Sequence, residues 1–261
     1  KMATEFNPED MYADDDMVIT ISHLGYIKRT PLADFRQQGR GGVGAKASAA
    51  RDEDFIEYVH QANMHSTMMF FTEQGRLYWT KVYELPEGNR QSKGRALQNM
   101  INIQKGDKVC AFIHVKNLND MEYVQNHYLI FATKDGLMKK TTLESYSRPR
   151  ANGIIALGLR EGDRLIRVTL TDGNSQMLVA SYNGKVVRFP EDTVRPMGRT
   201  ATGVRAIKLD EDGQDRVIGM ICVEEGSKES VLVISEKGFG KRTDLDDENG
   251  EPIYRITNRG G

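Results

Sequence analysis

The densest cluster of residues suited to binding chemistry is a glycine-rich stretch near the N-terminal end of the chain. It consists of Gln38, Gly39, Arg40, Gly41, Gly42, Val43 and Gly44, followed by Ala45 and Lys46. Glycine permits positive φ and removes the side-chain wall, so backbone N–H groups can approach a phosphate closely. Arg40 and Lys46 place positive charge beside that backbone. The stretch indicates a phosphate-binding loop, and the alternative is an ordinary mobile turn between strands.

Two nucleotide-binding motifs do not fit this stretch. Gly39 to Gly44 formally satisfies GxGxxG, but a dinucleotide fold needs that string between a strand and a helix, and the surrounding repeat is β throughout. A P-loop needs lysine directly after the last glycine, where Ala45 stands. We find no catalytic triad, no paired carboxylates and no metal-ligand spacing among the histidines, so we expect no catalytic residue, metal or other cofactor. The histidines are His23, His60, His65, His114 and His127.

Composition indicates a folded chain without an overall basic bias. The 261 residues are 39% hydrophobic and 28% charged, with 36 Lys plus Arg against 37 Asp plus Glu. An anionic partner would therefore require the cations to be segregated on one surface. Cys110 and Cys222 lie in no CxxC pattern, which favours two reduced, half-buried thiols in a cytoplasmic protein. No apolar run reaches membrane-spanning length.

The chain is built from five related units, each with a glycine at a predicted β-hairpin. An apolar run precedes each of these glycines and cations follow most of them. They are spaced 50, 61, 48 and 54 residues apart: Gly25, Gly75, Gly136, Gly184 and Gly238. This period is typical of propeller-like blades. We place the units at 17–66, 67–126, 127–175, 176–228 and a partial 229–261, after a linker or tail at 1–16.

Each unit has a second half marked by another glycine, at Gly44, Gly94, Gly153 and Gly203. An acidic turn and a further strand then follow, so one unit offers about four short β stretches. The stretch 52–59 fits a helical turn or, by analogy with the other units, a strand. Cations surround the second glycines: Arg40, Lys46, Arg90, Lys93, Arg95, Arg148, Arg150, Arg199 and Arg205.

A second set of cations recurs just after the hairpin glycines. Four of the five residues at the fourth position are basic, and the fifth is Trp79. Equivalent positions in a ring would form a curved positive belt, with acidic runs such as 210–215 and 244–251 on other faces. The alternative is a solvated strand face or a charge-protected edge. With nearby basic residues, the predicted belt adds Lys28, Arg29, Lys139, Lys140, Lys185, Arg188, Lys241, Arg242 and Arg259. Trp79 and Tyr78 either stack on bases or pack between strands.

The units and the glycine-rich stretch together resemble the C-terminal domain of DNA gyrase A. That family carries a seven-residue box, Gln-Arg/Lys-Arg-Gly-Gly-Arg/Lys-Gly, in its first blade. Gln38, Arg40, Gly41, Gly42 and Gly44 match the box, whereas Gly39 and Val43 replace two expected cations. The similarity runs from about Met17 to the end, including 21–26 and 197–205.

The resemblance implies an all-β fold, a β-pinwheel whose neighbouring blades exchange strands. It further implies a non-catalytic module of an ATP-dependent type IIA topoisomerase that wraps duplex DNA around its basic rim, without sequence specificity, to direct supercoiling. The implied partners are duplex DNA, the breakage-reunion domain of gyrase A and the gyrase B protein, in a heterotetramer in the bacterial cytoplasm at the nucleoid. We expect no membrane contact and a monomeric isolated domain.

Two rival functions remain open on the sequence. The depleted box also suits the corresponding protein of topoisomerase IV, whose domain would bind DNA without wrapping it chirally. The near-neutral charge suits a propeller that serves as a platform for protein interactions.

Replacing Arg40 by alanine tests the box. One loop is a small share of a belt of phosphate contacts, so Arg40→Ala should reduce DNA wrapping more than simple binding. Closure of nicked circles by ligase measures wrapping as a linking-number shift, and a gel shift measures binding. Equal losses in both assays would contradict a special role for the box.

Overall fold

The chain folds into a series of small antiparallel sheets, which confirms the all-β prediction. The computed structural model describes residues 7–36, 54–89, 91–224, 230–234, 240–244 and 246. Its strands are β1 (Asp16–Ser22), β2 (Tyr26–Pro31), β3 (Ile56–Asn63), β4 (Thr67–Thr72), β5 (Arg76–Lys81), β6 (Arg95–Ala96), β7 (Val109–Val115), β8 (Tyr128–Thr133), β9 (Leu137–Thr142), β10 (Ile154–Ile155), β11 (Leu165–Thr171), β12 (Ser175–Ser181), β13 (Val186–Pro190), β14 (Val204–Arg205), β15 (Val217–Glu224), β16 (Ser230–Ile234) and β17 (Gly240–Asp244).

Helical structure is confined to short pieces within the described ranges. The α-helices are α1 (Leu32–Arg36) and α2 (Met121–Asn126), and 3-10 turns occupy Pro8–Met11, Val82–Glu84, Leu97–Asn99, Leu143–Tyr146 and Glu191–Thr193. In that part of the chain, no helix has both the length and the apolar character that crossing a membrane requires.

Neighbouring units exchange a strand, as the family resemblance implied. The first three sheets have the orders β3-β1-β2-β6, β7-β4-β5-β10 and β11-β8-β9-β14, and the next two have the described orders β15-β12-β13 and β16-β17. The short strands β6, β10 and β14 each come from the unit that follows the sheet they join. We call the segments that carry them, 91–96, 148–155 and 195–205, the exchange segments.

The exchanged strands lie at the outer edges of their sheets. At the opposite edge, β11 contacts both β7 and β15, so the long last strands of successive units converge. In a propeller-like arrangement the converging edges surround the axis. The exchange segments therefore run along the perimeter.

The hydrophobic core consists of layers between successive sheets. Met69 and Phe71 of β4 face the third sheet, while Met68 and Phe70 of the same strand face the first. Side chains alternate between the faces of a strand, so a strand buried on both faces needs a continuous apolar run. The ring of Phe71 meets that of Phe131 in the next sheet at 5.6 Å, edge to face. This two-sided burial explains the apolar run before each hairpin glycine.

Glycine permits the close approach of each exchanged strand to the sheet it joins. Gly94, Gly153 and Gly203 have φ values of +84°, +69° and +98°. A Cβ on Gly203 would lie 2.2 Å from the carbonyl oxygen of Met138, and one on Gly94 would lie 2.3 Å from that of Ile27. Only glycine satisfies both the backbone conformation and the contact distance.

An aspartate before the last strand of each of the first four units holds the hairpin turn of the same unit. The Asp54 carboxylate accepts a hydrogen bond from the Leu24 N–H at 2.9 Å. Asp107, Asp163 and Asp215 repeat this contact with the N–H groups of Gln74, Asp135 and Asn183. The strand β3 begins two residues after Asp54, so the strand alternative that the analogy between units offered for 52–59 holds for residues 56–59.

Residues 7–15 lie against the second unit. Lys81 Nζ contacts Glu9 Oε1 at 2.6 Å, and the Tyr12 ring stacks on Tyr83 at 4.8 Å. The Met64 N–H donates to the Asp15 carbonyl at 2.9 Å. These contacts fix the start of β1.

Substituting Gly203 in an exchange segment should cost more stability than substituting the hairpin glycine Gly184, because only Gly203 lies against a neighbouring strand. Gly203→Ala combines a disfavoured positive φ, costing about 1–2 kcal/mol, with a backbone clash costing about 1–3 kcal/mol more. Gly184→Ala is the matched control, because its φ is +88° and nothing lies within 4 Å of an added Cβ. We expect urea unfolding to show the larger loss for Gly203→Ala, and equal losses would contradict the close approach.

Candidate nucleic-acid interface

Two lysines at the third position after the hairpin glycine are buried and hold the following unit. Lys28 is 9% exposed, and its ammonium donates to the carbonyls of Asn89 at 2.7 Å and Ser92 at 2.8 Å. Lys139 is fully buried and donates to the Ala156 carbonyl at 2.6 Å and to the Arg199 carbonyl. Burial lowers the pKa of Lys28. Burial, with a smaller effect of the Arg199 charge, lowers the pKa of Lys139 to about 7.

The residues at the fourth position after the glycine also reach into the next unit. Arg29 Nε donates to the Leu85 carbonyl at 2.7 Å, and its guanidinium lies 3.5 Å from Glu87. Trp79 Nε1 donates to the Tyr146 carbonyl at 3.1 Å. The recurrence of this position thus reflects one structural task, which is to bond the segment that the next unit lays beside the sheet.

The third and fourth units continue the pattern with ion pairs. Lys140 Nζ lies 3.5 Å from Glu191 Oε1, and both side chains are almost completely buried. The Glu191 carboxylate also accepts from the Thr171 hydroxyl and, at 3.0 Å, from the Ser175 N–H. Arg188 lies 3.5 Å from Asp246 of the fifth unit. These pairs join successive units electrostatically.

The expectation that these cations form an exposed belt is wrong for Lys28, Arg29, Lys139, Lys140 and Arg188. All are at most 9% exposed. The physical reason for the first four is strand exchange, because β2 and β9 lie in the middle of their sheets and the next unit covers them. Arg188 on β13 is covered where it pairs with Asp246 of the fifth unit. The solvated-face alternative fails for the same reason. Tyr78 is 2% exposed and Trp79 donates to a carbonyl, so the structure supports packing between strands over stacking on bases.

The cations around the second glycines, unlike those that follow the hairpin glycines, reach solvent. Five of the predicted residues in the exchange segments are exposed and a sixth is half-buried. The exposed residues are Lys93, Arg95, Arg148, Arg150 and Arg205, and the half-buried one is Arg199. Lys93 Nζ lies 4.1 Å from the centre of the Tyr26 ring. The exposed positive charge of these segments therefore follows the outer edges of three successive sheets.

Arg195 belongs to the same surface and the sequence analysis missed it. Its side chain is exposed at the start of the exchange segment 195–205, after the buried Val194 and before the exposed Pro196. Arg148 likewise precedes a proline. An arginine next to a proline just before the second glycine is a signal that could have identified it, since proline favours an extended, surface-lying segment.

Acidic residues gather at the hairpin ends of the sheets. Asp210 and Asp212 accept hydrogen bonds from the Asn183 amide, and Asp210 pairs with Lys185. The hydrogen bond from Lys185 lowers the pKa of Asp210, and that from Asn183 lowers the pKa of Asp212. Lys185 is exposed but its partner neutralises it, so it contributes little to a positive belt.

Several predicted residues lie outside the described ranges. These are the box residues Gln38, Gly39, Arg40, Gly41, Gly42, Val43, Gly44 and Lys46, together with Arg90 and Arg259. Lys241 and Arg242 lie in β17, where only the backbone is described. Their roles stay predictions.

Nucleophile or metal chemistry finds little support in the described part of the chain. Cys110 and Cys222 are free and half-buried, as expected. Burial raises the pKa of each thiol to about 12, which keeps both protonated at neutral pH. Among the described residues, no group of three or more His, Cys, Asp or Glu side chains is arranged to hold a metal ion.

The sequence matches a family described as the DNA gyrase C-terminal domain, a β-propeller. The matched segments are 16–63, 66–116, 127–172, 176–224 and 229–247, which together cover most of the chain. The chain belongs to this family. DNA gyrase A of Salmonella typhimurium is 44% identical over 99% of this chain, and that of Staphylococcus aureus is 41% identical over 98%. The chain spans 29% and 28% of these relatives, respectively.

Solved structures share the fold. The C-terminal domain of DNA topoisomerase IV superposes with a TM-score of 0.73 at 25% identity, covering 96% of this chain and 72% of the other. A DNA gyrase A C-terminal domain gives 0.65 at 23% identity, covering 87% and 71%. The strand exchange described above therefore belongs to a fold with known members.

Loss of the buried ion pair between Lys140 and Glu191 should destabilise the fold far more than loss of the partly exposed pair between Arg29 and Glu87. Glu191→Gln leaves the Lys140 ammonium buried without a counter-charge, and such losses are about 3–5 kcal/mol. Glu87 is 61% exposed, so Glu87→Gln should cost about 1 kcal/mol or less. Urea unfolding of both variants measures the difference, and similar small losses would contradict the role given to Glu191.

Proposed function

We propose that this chain binds duplex DNA along its outer perimeter and bends it around the exchange segments. The observation that carries the proposal is the position of the exposed cations of the exchange segments, which follow the outer edges of three successive sheets. The cations that follow the hairpin glycines are instead buried at Lys28, Arg29, Lys139, Lys140 and Arg188. Phosphate contacts from Lys and Arg give affinity without reading sequence. Membership of the gyrase C-terminal domain family supports DNA as the polyanion.

The box fits this proposal by its position in the repeat. Gly44 follows its hairpin glycine by the same interval that separates Gly75 from Gly94 and Gly184 from Gly203. By this count, residues 38–46 of the first unit are the counterpart of the exchange segments. We infer that Arg40 and Lys46 extend the same track of phosphate contacts.

In the parent enzyme, this module would wrap DNA and present a segment for passage, giving DNA gyrase its directional supercoiling. The chain would then be a non-catalytic part of an ATP-dependent type IIA topoisomerase, working with the breakage-reunion domain and gyrase B in the bacterial cytoplasm. Bending DNA by 40–90° costs about 1–6 kcal/mol, which a row of phosphate contacts must offset. The family and the gyrase A relatives support this role.

Topoisomerase IV-type binding without chiral wrapping is the second candidate. Two observations favour it: the box lacks cations at Gly39 and Val43, and the topoisomerase IV domain superposes well. Ligation of nicked circles on the protein decides between the two, because a wrapping module shifts the linking number and a simple binder does not. A chain that binds no DNA even at low salt would instead support the protein-interaction platform.

Removing the positive charge of the exchange segments should weaken DNA binding and make its affinity depend less steeply on salt. We expect the combined variant Arg95→Gln, Arg148→Gln, Arg150→Gln and Arg205→Gln to lower the log–log salt slope by about 3–4, since each lost phosphate contact removes about 0.9. A salt-titrated gel shift with random-sequence duplex measures the slope.

The matched control removes four exposed lysines outside the exchange segments. Lys105, Lys108, Lys116 and Lys208 are exposed, and their replacement by glutamine changes the net charge equally. This control should keep nearly the full slope. A slope reduced as much as in the perimeter variant would show that only net charge matters, which would contradict the proposed track.

A further inference from the structure

The contacts of Lys139 connect the exchange segment 195–205 to the residue that directly follows the exchange segment 148–155. Its ammonium donates to the Ala156 carbonyl at 2.6 Å, directly after the exchanged strand β10, and to the Arg199 carbonyl, in the segment that carries β14. It also donates to the Tyr146 hydroxyl at 3.2 Å. Three oxygens from three separate stretches of chain thus converge on one buried nitrogen.

Neighbouring contacts make this junction a fixed point of the perimeter. The Gly158 N–H donates to the Ala201 carbonyl at 3.1 Å, and the Met197 N–H donates to the Lys140 carbonyl at 2.8 Å. A Cβ on Gly158 would lie 2.6 Å from the Thr200 carbonyl oxygen. The backbone of 197–201 therefore lies directly on the second strand of the third unit and on the residues that follow the previous exchange segment.

We propose that Lys139 is a positioning residue for DNA binding, which sets the place of the Arg199 side chain on the perimeter by holding the Arg199 carbonyl. The inference rests on the proposed DNA-binding function. Lys139 itself is fully buried and does not reach the DNA. Arg199 is half-buried, so a small shift of its backbone changes how far its guanidinium extends from the surface.

The proton on Lys139 decides how many of these contacts can form. An ammonium has three N–H donors for the three oxygens, whereas a neutral amine has two. The charged and titratable groups that act on Lys139 are the Arg199 guanidinium and the Tyr146 hydroxyl; burial lowers the pKa of Lys139 to about 7 and raises that of Tyr146. As the pH rises through about 7, one contact is lost and the segment should loosen.

A double-mutant cycle on DNA affinity tests the proposal. We expect Lys139→Met to reduce affinity several-fold and to lower the log–log salt slope by about 1, because one phosphate contact is misplaced. In the Arg199→Gln background, Lys139→Met should add little, since the side chain it positions is gone. Full additivity of the two changes would overturn the proposal.

Lys28→Met is the matched control. Lys28 occupies the equivalent position in the first unit but holds the carbonyls of Asn89 and Ser92, beside Lys93. Its effect on affinity should therefore add fully to that of Arg199→Gln. If Lys28→Met and Lys139→Met behave alike in the cycle, Lys139 has only the general structural role shared by both lysines.

The dependence of DNA affinity on pH distinguishes the proposed role from a general loss of stability, which would not produce a transition near pH 7. At constant ionic strength, wild-type affinity should fall as the pH rises from about 6 to about 8.5, with a midpoint near the pKa of about 7, and Lys139→Met should lack this transition. A transition retained in the variant would overturn the proposal. If Lys139→Met does not fold, Tyr146→Phe, which removes one of the three oxygens, should shift the wild-type midpoint, and an unchanged midpoint would count against it.

Hydrogen exchange separates this inference from the DNA-binding function. The amides of Met197 and Ala201 should exchange faster in Lys139→Met than in the wild type, while Lys28→Met leaves them unchanged. If the wild type binds no DNA, the proposed function fails, and so does the role in DNA binding. Faster exchange would then still show that Lys139 holds the segment, and unchanged exchange would overturn the positioning itself.

Discussion

The exchange of a short strand between neighbouring units is the constraint on which the rest of the structure depends. Each exchanged strand forms the outer edge of a sheet that belongs to the preceding unit. In the three sheets where an exchanged strand is described, it covers the second strand from the side. Polar side chains of that second strand must then form hydrogen bonds or ion pairs with the segment that covers them. Lys28, Arg29, Lys139 and Lys140 do so by donating to carbonyls or pairing with carboxylates. Gly94, Gly153 and Gly203 allow the covering strand to approach closely enough.

The same constraint divides the cations into two groups with different tasks. Cations on the second strand are buried and hold the next unit, and cations on the exchange segments are carried to the perimeter. A chain with nearly equal numbers of acidic and basic residues can thereby present a positive track. The acidic side chains of 210–215 help by binding the hairpin end of the fourth sheet, away from that track.

The sequence predicts the repeat well because its signals are local. Hairpin glycines such as Gly75, apolar runs such as 68–71 and second glycines such as Gly203 depend on backbone conformation and on two-sided burial, both of which recur in every unit. The aspartate turn before the last strand is local in the same sense, and the analogy between units offered a strand as the alternative to a helical turn at 52–59. The family resemblance supplied the strand exchange, which the spacing alone does not show.

The fate of individual cations could not be predicted because their partners are distant in sequence. Lys139 bonds a carbonyl 60 residues away, and Arg29 bonds one 56 residues away. A cation that donates to buried carbonyls and a cation that faces solvent can have the same neighbouring residues in the sequence. The residues beside Lys139 offered a hint, since Leu137 and Met138 are also buried and leave the strand no solvent face. Arg195 was missed because it lies outside the positions that recur in every unit.

Residue-resolved chemical modification of lysine amines, with and without duplex DNA, tests the central claim most directly. The account predicts that Lys28 and Lys139 react poorly in both states because they are buried and bonded. Lys93, exposed on an exchange segment, should react freely and become protected by DNA, while Lys105 and Lys208 stay reactive. Protection of Lys105 and Lys208 with Lys93 still reactive would contradict a perimeter track, and rapid modification of Lys139 would contradict its structural role.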